Sequence, residues 1–537
     1  MNAADDPTLR ALVGGVLWPG YFGQSIPEWL RRELGDGGLA GVVLFSHNLG
    51  TPGGRGAPGV AGRVSRPGDA THEGLDTAAR PTRPAFTDMG PILVGIDEEG
   101  GSVSRIETRT GSSLPGAAQL GFVDDVHATE AVGRALAERS LAVGANVVLA
   151  PVADVNTNPR NPVIGVRAFG STPELVARHV VAAVRGIQSA GAAACVKHFP
   201  GHGDTHLDSH LALPQLTIDP DEIERMHLPP FQAAIDAGVA SIMTGHLVVP
   251  RWGDAPATLN PAVLGRLRAV GFDGVIITDA LDMAAVRRTV GSGPGAVQAL
   301  LAGADLLCLG NPMNPGAAAA PDEDERDFRE AQSAILAALD DGTLPVRVLE
   351  GAAARVRALG EALAGAEAKA TDAARTPLDA ASVARAAISV DGPVAHSRGP
   401  RTVLDVRGRP TLAVAVDGDG DSAGDADIVA DALADGGRVL RLDLAAAAGP
   451  ALRPAVAAVA ETDGALVVLA DAVGAHSAQR DVIEQLGAIR PGAVVVNVGM
   501  PGGRLPLTAL HTRAANLLAA EAARAVLAEG IRPEAIA

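Results

Sequence analysis

Eight short apolar runs punctuate the first 310 residues, each ending at a polar or charged residue and most separated by stretches of helical pattern. They are Leu12 to Leu17, Ala40 to Phe45, Pro91 to Ile96, Asn146 to Ala150, Ala192 to Val196, Ala240 to Met243, Gly274 to Thr278, and Asp305 to Leu309. Between the fourth and fifth, Ser171-Thr172-Pro173-Glu174 supplies a capping residue, an early proline and an early acid, and apolar spacing continues to Gly191. That is a well-marked helix. Strands that are continuously apolar rather than alternating are buried on both faces, as in a parallel sheet covered by its own crossover helices. Eight of them predict a closed (β/α)8, TIM-like barrel.

In that fold the reactive groups sit just past the C-terminal ends of the strands. Asn48, Asp97, Asp154, Lys197 with His198, His246 and Asp279 follow the second to seventh runs in turn. The fifth strand leads into the densest segment, Lys-His-Phe-Pro-Gly-His-Gly-Asp-Thr-His-Leu-Asp-Ser-His over 197–210, with histidines at 198, 202, 206 and 210. A spacing of four would align them on a helix, but Pro200, Gly201 and Gly203 break one. The segment is read as a loop leaving a strand, a usual seat for catalysis.

The remaining chain predicts a second unit. After the helical pattern of Val346 to Leu363, Ala-rich and polar sequence runs to about residue 400, and Thr411 to Val416, Arg438 to Leu442, Ala465 to Leu469 and Ala493 to Val498 then alternate with helical segments. The expected division is a barrel over 1–365, a linker over 366–400 and a smaller open α/β domain over 401–537. Residues 49–90 are rich in Gly, Pro, Arg and Thr where a barrel helix would be expected. With 44 basic against 62 acidic residues the formal charge is −18. No basic stripe offsets it, which disfavours nucleic acid and anionic membranes as partners. No apolar run is long enough to span a bilayer, and the start lacks a signal-peptide pattern. Cys195 and Cys308 both fall in apolar runs and read as free thiols, which fits a reducing cytoplasm. Nothing in the sequence sets an oligomeric state.

Asp279, at the end of the seventh run, suits a carboxylate nucleophile partly withdrawn from water. Alone, it suits a helix N-cap better. Asp282, one turn on, reads as a surface or capping group. Asp208 and His210 are two apart, so the carboxylate can fix the imidazole tautomer and leave the second nitrogen for acid/base work. A turn-forming aspartate and a capping histidine are the plainer alternative. Lys197 and His198 are either sugar-binding donors or members of a salt bridge and a satisfied core. Zinc is a rival reading of the histidine loop, but no cysteine or HExxH pattern supports it. No metal or other cofactor is expected.

Lys-His-Phe-Pro-Gly-His-Gly-Asp-Thr followed by Asp-Ser-His closely resembles the signature of family 3 glycoside hydrolases, in the branch of bacterial β-N-acetylglucosaminidases. Asp97-Glu98-Glu99-Gly100-Gly101 with Arg105, Ala150-Pro151-Val152-Ala153-Asp154-Val155, Asn161-Pro162-Val163-Ile164-Gly165 with Arg167 and Phe169-Gly170, and Thr278-Asp279-Ala280-Leu281 resemble further blocks of that family in its order. Ser102 stands where the family often has arginine. The resemblance implies a barrel that removes a terminal β-linked N-acetylglucosamine with retention of configuration. It implies Asp279 as nucleophile, His210 as acid/base paired with Asp208, and Asp97, Arg105, Arg167, Lys197 and His198 as the residues that hold the sugar. A histidine in place of a second carboxylate removes one negative charge near the anomeric carbon, which admits phosphate as an acceptor. A phosphorylase is therefore the alternative, and a non-catalytic sugar-binding barrel the third reading. The C-terminal stretch Gly492 to Pro501 resembles the second domain of longer members, with no catalytic residue assigned to it.

Overall fold

The computed structural model describes residues 3–35, 38–49, 91–108, 111–205, 213–310, 322–367, 377–408, 427–444, 452–474 and 477–531. The expected irregular stretch at 49–90 lies outside them apart from Leu49, as does the expected strand at Thr411 to Val416.

Eight strands form the N-terminal TIM-like domain: β1 (Leu17–Pro19), β2 (Gly41–Leu44), β3 (Leu93–Ile96), β4 (Val147–Val148), β5 (Ala193–Phe199), β6 (Ser241–Thr244), β7 (Val275–Ile277) and β8 (Leu307–Gly310). β2 to β7 make one parallel sheet in chain order. β8 joins β7 through a parallel bridge between Ile277 and Leu306 and pairs on its other side with β1. β1 packs beside β2, where the Ala40 N–H donates to Gly14 O. All eight runs therefore deliver a strand, with one displacement. The run Leu12 to Leu17 yields a strand only from Leu17 on: Asp6 caps a helix over Pro7–Gly14 that consumes the run's first half, and Val13 is apolar because that helix buries it.

Alternation along the strands sorts their side chains into two cores. Val43, Leu93, Val147, Cys195, Met243, Val275, Ile277 and Cys308 share one cluster, whereas Val42, Val94, Val148, Val196, Ile242 and Ile276 pack in another that includes Val132, Val180 and other helix residues. Trp18 belongs to the first, fully buried, with its indole N–H donating to Leu93 O at 2.8 Å. Its ring occupies the space where residue 95 would carry a side chain: a Cβ there would come within 2.3 Å, so only glycine fits. The helix Val346–Glu367 contributes Val356 and Leu363 to the same cluster, at the end opposite the polar residues.

The second domain is a six-stranded sheet of β9 (Ser389–Asp391), β10 (Arg401–Asp405), β11 (Arg438–Arg441), β12 (Ala465–Ala470), β13 (Val494–Asn497) and β14 (Thr508–His511). Their order is β9-β14-β13-β12-β10-β11, with only β9 antiparallel. The expected linker over 366–400 needs correction. Asp379 caps a helix over Ala380–Ala386, and β9 completes the sheet's edge. That strand is an edge, half open to solvent. Among the described residues no helix is long and apolar enough to cross a membrane.

Candidate active site

The polar ends of β3 to β7 converge. Asp97 follows β3, and a short antiparallel hairpin (Glu98–Gly100 with Val103–Ser104) continues from it. Lys197 and His198 lie inside β5, which runs to Phe199, rather than in a loop after it. Lys197 Nζ stands 2.7 Å from Asp97 Oδ1 and 2.6 Å from Glu99 Oε1. Arg167 grips Glu99 with two bonds, Nε to Oε2 at 2.9 Å and Nη2 to Oε1 at 2.8 Å. Arg105 Nη2 reaches Asp97 Oδ2 at 3.7 Å. The result is a ladder of alternating charge, Arg105, Asp97, Lys197, Glu99, Arg167. Four of the five residues anticipated as sugar ligands are in it.

Burial decides how firmly the ladder is charged. Lys197 is only 2% exposed, and Glu99, Arg105 and Arg167 are nearly as enclosed, while Asp97 opens to 25%. Burial alone would raise the Glu99 carboxyl, but Arg167 and Lys197 outweigh it and hold it well below the usual carboxylate range. Burial likewise opposes ionisation of Asp97, and Lys197 and Arg105 prevail there. For Lys197 the pull of Asp97 and Glu99 overcomes desolvation and raises its affinity for the proton. Glu99 was not anticipated as a site residue. Its signal was the Asp-Glu-Glu run, in which Asp97 and Glu99 share a face and Glu98 points the other way.

His198 pairs with Asp154, Nδ1 to Oδ2 at 2.8 Å. A carboxylate only accepts here, so the proton is on Nδ1 and Nε2 is the nitrogen left for another partner. Asp154 is fully buried and its Oδ1 accepts the backbone N–H groups of His198 and His202. Asp154 and His198 thus form an Asp–His pair separate from the expected one of Asp208 and His210. Asp208, His210 and His206 lie outside the described residues. His202 bonds Thr205 through Nδ1, and burial pushes its imidazole down to about 4, so it is neutral and structural in the glycine turn.

Asp279 leaves β7 with its N–H donating to Thr244 O and its Oδ1 accepting from Ala280 N at 2.8 Å. The next helix is the single turn Ala284–Arg287. His246 closes the turn, donating from Nε2 to Ala280 O at 2.8 Å while Nδ1 meets Thr258 Oγ1. Asp282 is corrected too. It is 7% exposed and packs against Gly310, where any side chain would collide with it, so it is no surface group. Asn48 also serves structure, donating to Tyr21 O and Gly23 O. Among the described residues no group of three metal-ligating side chains is assembled.

Glu98, on the hairpin's other face, is fully buried and accepts from the N–H groups of Arg105 and Ile106. Burial pushes its carboxyl from 4.5 up to about 7, against the hydrogen bonds from Ser104, Ile106 and Arg105. A raised carboxyl stabilises the fold fully below its unfolded value and loses that contribution as pH rises through the folded one. Urea midpoints of wild type and Glu98→Gln should therefore diverge between pH 4.5 and 7. The wild type should lose about 3 kcal/mol relative to the variant across that window. Parallel pH profiles would show that the carboxyl does not titrate there.

The model of the glycosyl hydrolase family 3 N-terminal domain matches residues 63–359. The chain is 32% identical over 354 residues to beta-hexosaminidase A of Pseudoalteromonas piscicida, covering 62% of this chain and 55% of that one, so it spans about half of that relative's length. It is 35% identical over 304 residues to a beta-hexosaminidase of Stenotrophomonas maltophilia, covering 53% of this chain and 79% of that one. A solved family 3 beta-N-acetylglucosaminidase from Paenibacillus sp. FPU-7 superposes with a TM-score of 0.74 at 28% identity, covering 98% of this chain and 97% of the other.

Proposed function

The chain belongs to glycosyl hydrolase family 3, and from that membership we propose that it is an exo-acting, retaining β-N-acetylglucosaminidase. The observation that carries this reading is the Arg105–Asp97–Lys197–Glu99–Arg167 ladder on the same barrel end as Asp279. Carboxylates locked in the ionised state accept sugar hydroxyls, and fixed cations beside them donate, so a pyranose meets directional partners that need no reorganisation. His198, its tautomer set by Asp154, adds one more.

In this mechanism Asp279 attacks the anomeric carbon while His210, oriented by Asp208, gives its proton to the leaving oxygen. Neutral His210 then takes a proton from water, whose oxygen displaces Asp279 and releases the β-anomer. The substrates that fit are terminal N-acetylglucosaminides of muropeptide or chitin fragments. The free, buried thiols of Cys195 and Cys308 suit action in a reducing cytoplasm. Product analysis on an aryl β-N-acetylglucosaminide, with and without phosphate, is the test. Free N-acetylglucosamine, first as the β-anomer, is expected in both. N-acetylglucosamine 1-phosphate in the phosphate arm would replace hydrolysis with phosphorolysis, and no turnover in either arm would leave a sugar-binding barrel.

A further inference from the structure

The hairpin after β3 opens a loop whose described arms, 98–108 and 111–116, touch at Gly101 and Gly116. A Cβ on Gly101 would lie 2.6 Å from the Gly116 Cα, and the Gly101 N–H donates to Leu114 O at 3.0 Å. Its base holds Glu99 and its first arm carries Arg105. Both arms and the helix that follows are held from outside by one short segment of the second domain, just after β14. The Ala515 N–H donates to Ser102 Oγ at 3.0 Å on the first arm, and Asn516 Nδ2 to Leu114 O at 3.3 Å on the second. Gln119 Nε2 donates to Thr512 O at 3.1 Å. The Arg513 guanidinium lies 3.6 Å over the Phe122 ring.

This segment is itself stiffly mounted. Arg513 donates to Ala387 O, His511 O and Ser389 Oγ within its own domain, and Asn516 Oδ1 caps the C-terminal helix Leu517–Glu529. Arg513 also lines, with Glu99, Ser102 and Arg167, an apolar cavity behind the Glu99–Arg167 pair. A second contact supports the other half of that pair: Met500, in the turn after β13, packs 4.0 Å from where a side chain on Gly165 would begin, two residues before Arg167. Asn497 pins this turn with Nδ2 bonds to Gly499 O and Met500 O.

We propose that residues 512–516 of the second domain are a brace that sets the position of the loop bearing Glu99 and Arg105, so that Ser102, Phe122, Arg513 and Asn516 are positioning residues for sugar binding in the barrel. Ser102, set apart as the position where arginine is common in the family, is in this chain the near side of the joint. The inference rests on the proposed glycosidase reading for its kinetic consequence only.

The test uses the full chain carrying Ser102→Ala with Phe122→Ala, which removes one hydrogen bond and one ring from the joint and touches neither a ladder residue nor Asp279. Hydrogen exchange of residues 98–116 is expected to accelerate, and KM for an aryl N-acetylglucosaminide to rise about tenfold or more with a smaller change in kcat, since displaced binding groups act at a distance from the bond being broken. Ser102→Thr with Phe122→Tyr, which keeps the hydroxyl and the ring, is expected to behave as wild type. Asn516→Asp provides a second route, since it retains the helix cap and replaces the donor to Leu114 O by a buried carboxylate oxygen that repels it. Unchanged exchange at 98–116 in both disrupted variants would overturn the brace. That readout needs no turnover, so a wild-type chain inactive on the glycoside would refute the glycosidase reading while leaving the brace decidable.

Discussion

Alanine at position 279 is expected to lower kcat/KM for an aryl β-N-acetylglucosaminide by about four orders of magnitude or more, the scale seen when a covalent nucleophile is deleted from a set of groups that act together. The carboxylate makes the bond to the anomeric carbon, and the ladder and His198 would still hold the sugar, so the loss should fall on kcat rather than on KM. Folding should survive. Asp279 is only partly buried, and its Oδ1 accepts from the neighbouring Ala280 N–H. Sodium azide, small enough to enter the vacated space, should restore part of the turnover and yield an α-glycosyl azide, because one displacement inverts where two retain. Activity within tenfold of wild type would remove Asp279 from the chemistry.

The second large effect is on stability. Glu99→Gln keeps the shape of the side chain and removes its charge, leaving Lys197 and Arg167 buried against an amide. Breaking a buried pair by removing one partner costs about 3–5 kcal/mol. The urea midpoint should drop accordingly with little change in slope. The acid response should change as well. Because the folded carboxyl lies below its unfolded value of about 4.5, its contribution is complete above that pH and is lost as the pH falls. The wild type should therefore weaken relative to the variant on acidification, and their midpoints should approach each other. Equal midpoints at neutral pH would show that the two cations find adequate partners without Glu99.

The barrel was legible because strands buried on both faces have to be apolar at consecutive positions, and that leaves an uninterrupted trace in the chain. The first strand was misplaced for the same reason. A buried helix end such as Leu12 to Gly14 leaves the same trace when it abuts a strand. The site was legible residue by residue but not as a set of pairs. Asp97 and Lys197 are 100 residues apart and Glu99 and Arg167 are 68 apart, so no local pattern reveals who meets whom. Glu99 was overlooked because its partners were unknown, and Asp282 was sent to the surface because a charged residue near a helical pattern usually goes there. The contacts of Ser102 with the second domain had no sequence signature at all, since a serine hydroxyl bonding to a distant backbone N–H looks like any other serine.

Trp18 gives the molecule an optical property. The chain has three tryptophans and one tyrosine, and this indole is sealed inside the strand cylinder with its N–H committed to Leu93 O and its ring over Gly95. It sits where β1 faces β3, so any loosening that admits water to the cylinder changes the polarity around the ring. With Trp29 and Trp252 replaced by phenylalanine, emission from the remaining indole would report on the integrity of the barrel interior alone, in a protein otherwise nearly silent in the near ultraviolet.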